Sequence, residues 1–502
     1  MKLRVNIAAN YASQAYAAIA GFAIVPFYLQ ALGHAAYGLV GFAVLLNGWM
    51  QLLDAGLSAA IMQEAARARA GVYPRRELRR LFRLVNAGFL ATGALLASVA
   101  VWQAPTVAAH WLHGATIDPS VLHKGLMLLF ATMIVNWIGN PARSLLQGLE
   151  QQLSLSLSLV VTVSLRYGGG LVALYCLHGN VVDVLLSQLL AEVVQTVLLG
   201  LLAAFSLSRL PSHDHASGRL MLRPVLRMAA TIAFTSTVWI VSTQSDRLLL
   251  SHWLTLSDYA AFVVAASAAG GVLLLNAPIG QIVMPRLTAL QAVNDDLGLH
   301  TLYRRMTRFT AAVTGSATLV LGTFAEPLLY AWTGDAALAR SGAPLLRCYA
   351  VGNGLLSLAA FAYYLQYAQR RLRLHVVGNL GVLLVGLPLL CYAAKRYGAL
   401  GAAYVWLAEN VVHCFVWTAL IHARLAPGLH LRWMSRDILG VLAAPAALIA
   451  AVYWLVPIVD YGRAGTLVAL SLSGLACLVL GLWGANTRLP GPARFDKRLL
   501  RR

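Results

Sequence analysis

The stretch RRELRRLFRLVNAGFLATGALLASVAVWQA, residues 75–104, holds the key to the fold. It opens on Arg75, Arg76, Arg79 and Arg80, then runs from Phe82 to Ala104 almost wholly apolar past Arg83. At 1.5 Å per helical residue such a run reaches about 35 Å, enough to cross roughly 30 Å of hydrocarbon. Charged groups are excluded from that layer, so the arginines mark the end that stays in the cytoplasm.

Outward from it, the same pattern recurs about fourteen times. The spans toward the N-terminus are Val5–Leu32, Tyr37–Gln63, Phe82–Ala104, Leu122–Leu146, Leu153–Leu177, Val182–Leu207 and Val225–Ser251. Those that follow are Tyr259–Met284, Phe309–Leu329, Pro344–Tyr367, Leu374–Ala394, Leu400–Ile421, Ile438–Val456 and Thr466–Ala485. With the N-terminus cytoplasmic, thirty of the thirty-eight Lys and Arg residues fall on that side. This asymmetry puts both termini in the cytoplasm of a bacterial inner, multi-pass membrane protein. The fold class expected is an all-α bundle of about fourteen transmembrane helices.

Composition agrees. Hydrophobic residues make up 59% and charged residues 11% of the chain, against about 25% charged in soluble domains. The formal charge of +20 is gathered in short clusters beyond helix ends, such as Arg370-Arg371-Leu372-Arg373 and Lys497-Arg498-Leu499-Leu500-Arg501-Arg502. Helix orientation and contact with anionic headgroups account for these, and no nucleic-acid partner is expected. Cys176, Cys348, Cys391, Cys414 and Cys477 sit in or beside apolar spans without a CxxC pair, as small buried hydrophobes. No metal or cofactor motif appears, and no phosphate-binding loop that would drive transport with ATP. Gly168-Gly169-Gly170 lies mid-helix, where small residues serve close packing. Met1-Lys2-Leu3-Arg4 looks like the start of a signal peptide, but the following run is too long and too polar, so a retained first helix is expected.

The chain also repeats itself. Tyr37, Asp54 and Met62 recur as Tyr259, Asn276 and Met284 at an offset of 222. Leu146-Gln147 recurs as Leu365-Gln366 at 219, and Ala191-Glu192 as Ala408-Glu409 at 217. Two parallel six-helix lobes follow, with two helices appended. The expected division is 1–208 for the first lobe, 209–224 for a cytoplasmic linker, 225–423 for the second lobe and 424–502 for the extra helices and basic tail.

A charged residue at a helix centre costs about 2.5–3.5 kcal/mol, so such residues face protein or water. Arg166 stands mid-span in helix five, suited to a phosphate or carboxylate, or to an ion pair with Glu192. Glu192 and Glu409 are candidates for a coupling proton, for bonding at a helix break, or for a carboxylate at an aqueous cavity. Asp54, before Gly56, reads as structural; Asp246 is expected to meet a neighbouring helix, and Arg247 the outer interface. Asn6, Asn10 and Gln14 form one polar stripe on helix one, joined by Asn47 and Gln51, by Asn136 and Asn140, and by Ser242, Thr243 and Gln244. Interhelical hydrogen bonds explain part of this, and a wet cavity that tolerates sugars explains the excess. Trp49, Trp137, Trp239 and Tyr363 are suited to stack on sugar rings, though most Trp residues serve as interface anchors or packing.

These residues sit within strings that resemble a known family. They are Leu32-Gly33-His34-Ala35-Ala36-Tyr37-Gly38, Asp54-Ala55-Gly56-Leu57-Ser58-Ala59-Ala60, Asp246-Arg247-Leu248-Leu249-Leu250, Met284-Pro285-Arg286-Leu287 and Tyr397-Gly398-Ala399-Leu400-Gly401. The chain resembles the polysaccharide (oligosaccharide) flippases of the multidrug/oligosaccharidyl-lipid/polysaccharide exporter superfamily, above all the O-antigen and exopolysaccharide lipid-carrier translocases. The resemblance implies a non-enzyme that moves an undecaprenyl-pyrophosphate-linked oligosaccharide to the periplasmic leaflet through a cationic cavity. It implies Arg166 and Arg143 as substrate contacts, no cofactor, and a coupling proton or sodium ion. Expected partners are the lipid-linked oligosaccharide, membrane lipids, a glycan polymerase and glycosyltransferases. The arginine-rich first helix of lipid II flippases is absent here, which disfavours peptidoglycan precursors. The rival reading is a cation-coupled multidrug exporter of the same fold. A membrane glycosyltransferase would need a larger outer loop than Pro105–Ser120 or Glu326–Gly342.

Overall fold

The computed structural model describes residues 2–54, 56–69, 71, 74–107, 117–210, 222–369 and 371–487. Most of the expected linker, Arg370 and the basic tail lie outside the described residues. Among the described residues every regular element is helical. Among these residues ten helices are long and apolar enough to cross a membrane, and a further pair, Asp296–Thr323 with Ala325–Thr333, is bent by 82°. The protein is a multi-pass membrane protein. Its chain contacts divide into two compact units, Met1–Ala260 and Ala261–Arg502.

The first unit holds α1 (Lys2–Leu53), α2 (Leu57–Arg69), α3 (Arg75–Thr106), α4 (Pro119–Gly148), α5 (Gln152–Leu171), α6 (Val181–Arg209) and α7 (Leu222–Trp253). At 52 residues α1 would reach about 78 Å if straight, over twice a bilayer. It breaks at Gly33, whose φ of 77° lies in the left-handed region that a side chain disfavours, so two arms emerge where two spans are expected.

The expected second span, Tyr37–Gln63, is not one helix. The chain turns at Asp54 and Gly56, the latter with φ 69°, and α2 starts afresh at Leu57. Asp54 caps that start, accepting from the Ser58 hydroxyl at 2.5 Å and more distantly from its backbone N–H at 3.4 Å.

In the opening stretch, α3 exposes Arg76, Arg79, Arg80 and Arg83 on one face, and Trp102 stands exposed about 33 Å further along the axis. Guanidiniums at one headgroup level and an indole at the other match a bilayer's two interfaces. α4 packs centrally against α1, α2, α3 and α6. Around its last turns Leu145, Leu146 and Leu149 join Ile61, Leu78, Leu199 and Leu207 in one apolar cluster.

The second unit takes most of α8 (Leu256–Ala292), then α9 (Asp296–Thr310), α10 (Ser316–Thr323), α11 (Ala325–Thr333), α12 (Ala336–Ala368) and α13 (Arg373–Gly381). There follow α14 (Leu387–Val411), α15 (Thr418–Leu425), α16 (Leu429–Arg432), α17 (Gly440–Leu455) and α18 (Gly462–Thr487). α14 breaks at Gly398, φ 60°, between two expected spans. α8 and α9 run well past their apolar windows, because amphipathic, basic sequence can continue a helix outside hydrocarbon. Asp437, fully buried, ties α9 down by accepting from Arg304 at 2.7 Å and Arg308 at 2.6 Å.

Small residues set the closest approaches. A side chain at Gly148 of α4 would strike the Met62 backbone and stand 2.7 Å from the Ala65 methyl, whereas Gly88 on α3 faces open space. Gly148→Val is therefore expected to destabilise the detergent-solubilised protein by about 1–3 kcal/mol through overpacking. Gly88→Val should leave its thermal midpoint nearly unchanged.

Candidate functional site

Two helices in the first unit carry polar residues at helical spacing along one face. On the second arm of α1 these are Asn47 and Gln51, continued by Asp54 in the turn that follows; on α4 they are Asn136, Asn140, Arg143, Ser144 and Gln147. Together with Arg166 of α5 and Ser236 of α7 they line a cavity of about 590 Å³, whose apolar lining includes Met50, Met62, Met133, Trp137 and Ile240. Seven residues singled out in the sequence, Asn47, Gln51, Asp54, Asn136, Asn140, Arg143 and Arg166, thus share one wall system.

Arg166 makes a charge-assisted hydrogen bond to Oε2 of Glu192. Glu192 is 0% exposed and Arg166 29% exposed, so the carboxylate lies behind the guanidinium, away from the cavity. Arg143 donates to Asn140 Oδ1 at 3.1 Å and, at 3.4 Å, to Gln195 Oε1. Among the described residues no carboxylate lies within salt-bridge distance of Arg143. Asp54, the one acidic side chain on the cavity wall, is committed to Ser58. The site therefore holds two guanidiniums, one neutralised by an internal carboxylate and one held only by amides. That combination suits an anion with several oxygens, such as a phosphate or diphosphate.

On α6, Glu192 stood out in the sequence, but Gln188 and Gln195 were missed. Gln188, Glu192 and Gln195 are all buried and recur at i, i+4 and i+7, one face of the helix. That spacing was available, and so was the pairing of Arg166 with Glu192; the contact of Gln195 with Arg143 on α4 was not.

Other singled-out residues lie elsewhere. Asn10 and Gln14 are exposed on the first arm of α1 and do not line the cavity, and the Asn6 side chain lies outside the described residues. Asp246 is buried on α7 and accepts from the Arg247 N–H, while the Arg247 guanidinium donates to Gln244 at 3.2 Å. Glu409 belongs to the second unit, where its carboxylate lies against Gly386. Trp137 lines the cavity, but one face of its ring is stacked on Phe89 at 4.3 Å. Tyr363 packs on His375, Tyr364 and Tyr367 in the second unit. The Trp239 side chain lies outside the described residues.

A family model described as polysaccharide biosynthesis protein matches residues 3–291. Among solved structures, the chain is similar to the lipid II flippase MurJ in an inward closed conformation, with a TM-score of 0.71 at 12% identity over 94% of this chain and 97% of that one. It is also similar to an inward-facing multidrug resistance MATE family transporter of the MOP superfamily, with a TM-score of 0.65 at 15% identity over 82% and 94%. A MOP superfamily transporter from Pyrococcus furiosus Vc1 gives 0.54 at 18% over 85% and 95%. Identities this low establish a shared fold. No curated protein matches the sequence.

Removing one partner of a buried ion pair strands the other in low dielectric, at a cost of about 3–5 kcal/mol. Arg166→Gln is expected near the lower end, since its own side chain reaches the cavity. Adding Glu192→Gln should restore most of that loss in a double-mutant unfolding cycle. Simple additivity of the two would deny the coupling.

Proposed function

The chain belongs to the polysaccharide biosynthesis protein family, and from that premise we propose that it flips a lipid-linked oligosaccharide across the bacterial inner membrane. The observation that carries this reading is the pair Arg143 and Arg166 on one polar cavity wall. The substrate is an undecaprenyl-diphosphate glycan, received from the cytoplasmic leaflet and released in the periplasmic one. The barrier to its passage is dehydration of diphosphate and sugars. Guanidiniums replace the water around the phosphates, and Asn47, Gln51, Asn136 and Asn140 offer the donors and acceptors that sugar hydroxyls need. The polyprenyl tail stays in lipid, and alternating access of two lobes carries the headgroup. We count fourteen spans by taking the arms on either side of Gly33 and Gly398 separately, the bent pair Asp296–Thr323 with Ala325–Thr333 as one span, and α7 as another, and we assign both termini to the cytoplasm. A coupling proton or sodium ion supplies energy, glycosyltransferases make the substrate, and a glycan polymerase takes it up. The lobe division 1–208, 209–224, 225–423 and 424–502 is the functional one we assign.

The likeness to MATE transporters keeps a multidrug exporter as the rival. A cationic drug would need an uncommitted carboxylate, whereas Asp54 is held by Ser58 and Glu192 by Arg166. Lipid II is a less fitting cargo, because the first arm carries Asn10 and Gln14 where arginines are expected.

In proteoliposomes, a fluorescent polyprenyl-diphosphate oligosaccharide should change leaflets at least ~10-fold more slowly with Arg143→Gln or Arg166→Gln, since each removes a charge-assisted contact of about 1.5–3 kcal/mol. Ethidium should not be moved. Wild-type rates in both variants, or ethidium transport abolished by Glu192→Gln, would reverse the assignment.

A further inference from the structure

The ion pair at the cavity wall is only half made. Glu192 Oε2 holds Arg166, but among the described residues Oε1, equally buried, has no hydrogen-bond partner, and neither has Arg166 Nε. A guanidinium and a carboxylate can join by two parallel hydrogen bonds, so this pair forgoes part of its attraction while both groups stay desolvated. The two are also placed differently. Arg166 lines the cavity and can turn into it, whereas Glu192 has no exposed surface and no such route. The titratable and charged groups around Glu192 are Arg166 on α5, Arg143 on α4, and Tyr28 on α1 with Tyr167 on α5 beside Arg166. Gln188 and Gln195 flank it on its own helix. Both cations that compensate its charge are therefore the same two that face an incoming anion.

We propose that Glu192 is an internal stand-in for the substrate's phosphate, exchanged for it on binding, and that the exchange draws one proton into the protein. This rests on the reading of the cavity as a diphosphate-headgroup site. The entering diphosphate oxygens take the hydrogen bonds of Arg166 and Arg143. Glu192, left as a carboxylate without a cation, accepts one proton from water and becomes a neutral acid that Gln188 or Gln195 can hydrogen-bond. A lone buried carboxylate costs several kcal/mol, so neutralisation is the outcome that burial dictates. On release the proton leaves and the Arg166–Glu192 pair re-forms. The headgroup thus travels outward with a proton that offsets part of its charge, distinct from the inward-moving ion that supplies energy, and the empty cavity never presents two bare guanidiniums to stray anions.

The test is isothermal titration of the full chain in lipid nanodiscs with farnesyl diphosphate as probe, run in two buffers of different ionisation enthalpy. The probe's own titration is common to wild type and Glu192→Gln and cancels in their difference. Wild type should take up about one proton more per probe bound than the variant. Because protons are taken up, wild-type affinity should fall as pH rises, by up to about tenfold per unit relative to the variant. Glu192→Gln should also bind more tightly, having lost the competitor. Independently of any variant, adding the probe to wild type should produce a protonated-carboxyl stretch in the infrared difference spectrum. Equal proton counts with binding intact, or no such stretch, would overturn the exchange and leave the cavity assignment standing. No binding to either protein would overturn the cavity assignment and the exchange with it.

Discussion

A charge inside a membrane protein must be answered by another charge or by water, and the Arg166–Glu192 pair is where this molecule meets that constraint. The pair explains why α5 and α6 each tolerate an ionised residue in an apolar span. It also orients the guanidinium toward the cavity, since the carboxylate occupies the buried side. The polar faces of α1 and α4 complete the enclosure with amides, which are neutral and so add hydrogen-bonding capacity without further electrostatic cost. Arg143 repeats the device in weaker form, held by Asn140 and Gln195 in place of a carboxylate.

The internal repeat makes the asymmetry of the two units informative. Glu192 has its sequence counterpart in Glu409, but the position matching Arg166 at the same offset is Leu383. The position matching Arg143 through the Gln147–Gln366 offset is Ala362. The cations therefore belong to the first unit alone, and the second carries the carboxylate without them. If the proposed flippase function holds, such divergence means the headgroup is held by the first half while the second serves the movement.

The apolar spans were legible because hydrocarbon imposes a length and a composition that no other environment demands. Where that constraint lapses, reading from sequence lost its hold. α9 begins at Asp296, ahead of the expected Phe309, since basic amphipathic sequence needs no apolar window to be helical. The break at Asp54 and Gly56 was hidden because a capping Asp and a Gly in left-handed geometry look, in one dimension, like a polar flaw in a continuous span. Of the cavity, the face of α4 was readable from spacing, as was the Arg166–Glu192 alternative. The Gln188–Gln195 stripe and the stacking of Trp137 on Phe89 were not, because each depends on a partner from another helix.

The most direct test of the account is an experimental structure of the protein holding a polyprenyl diphosphate. The account predicts phosphate oxygens within hydrogen-bond distance of both Arg143 and Arg166, with Arg166 turned away from Glu192. Diphosphate bound elsewhere, while Arg166 remains on Glu192, would contradict it.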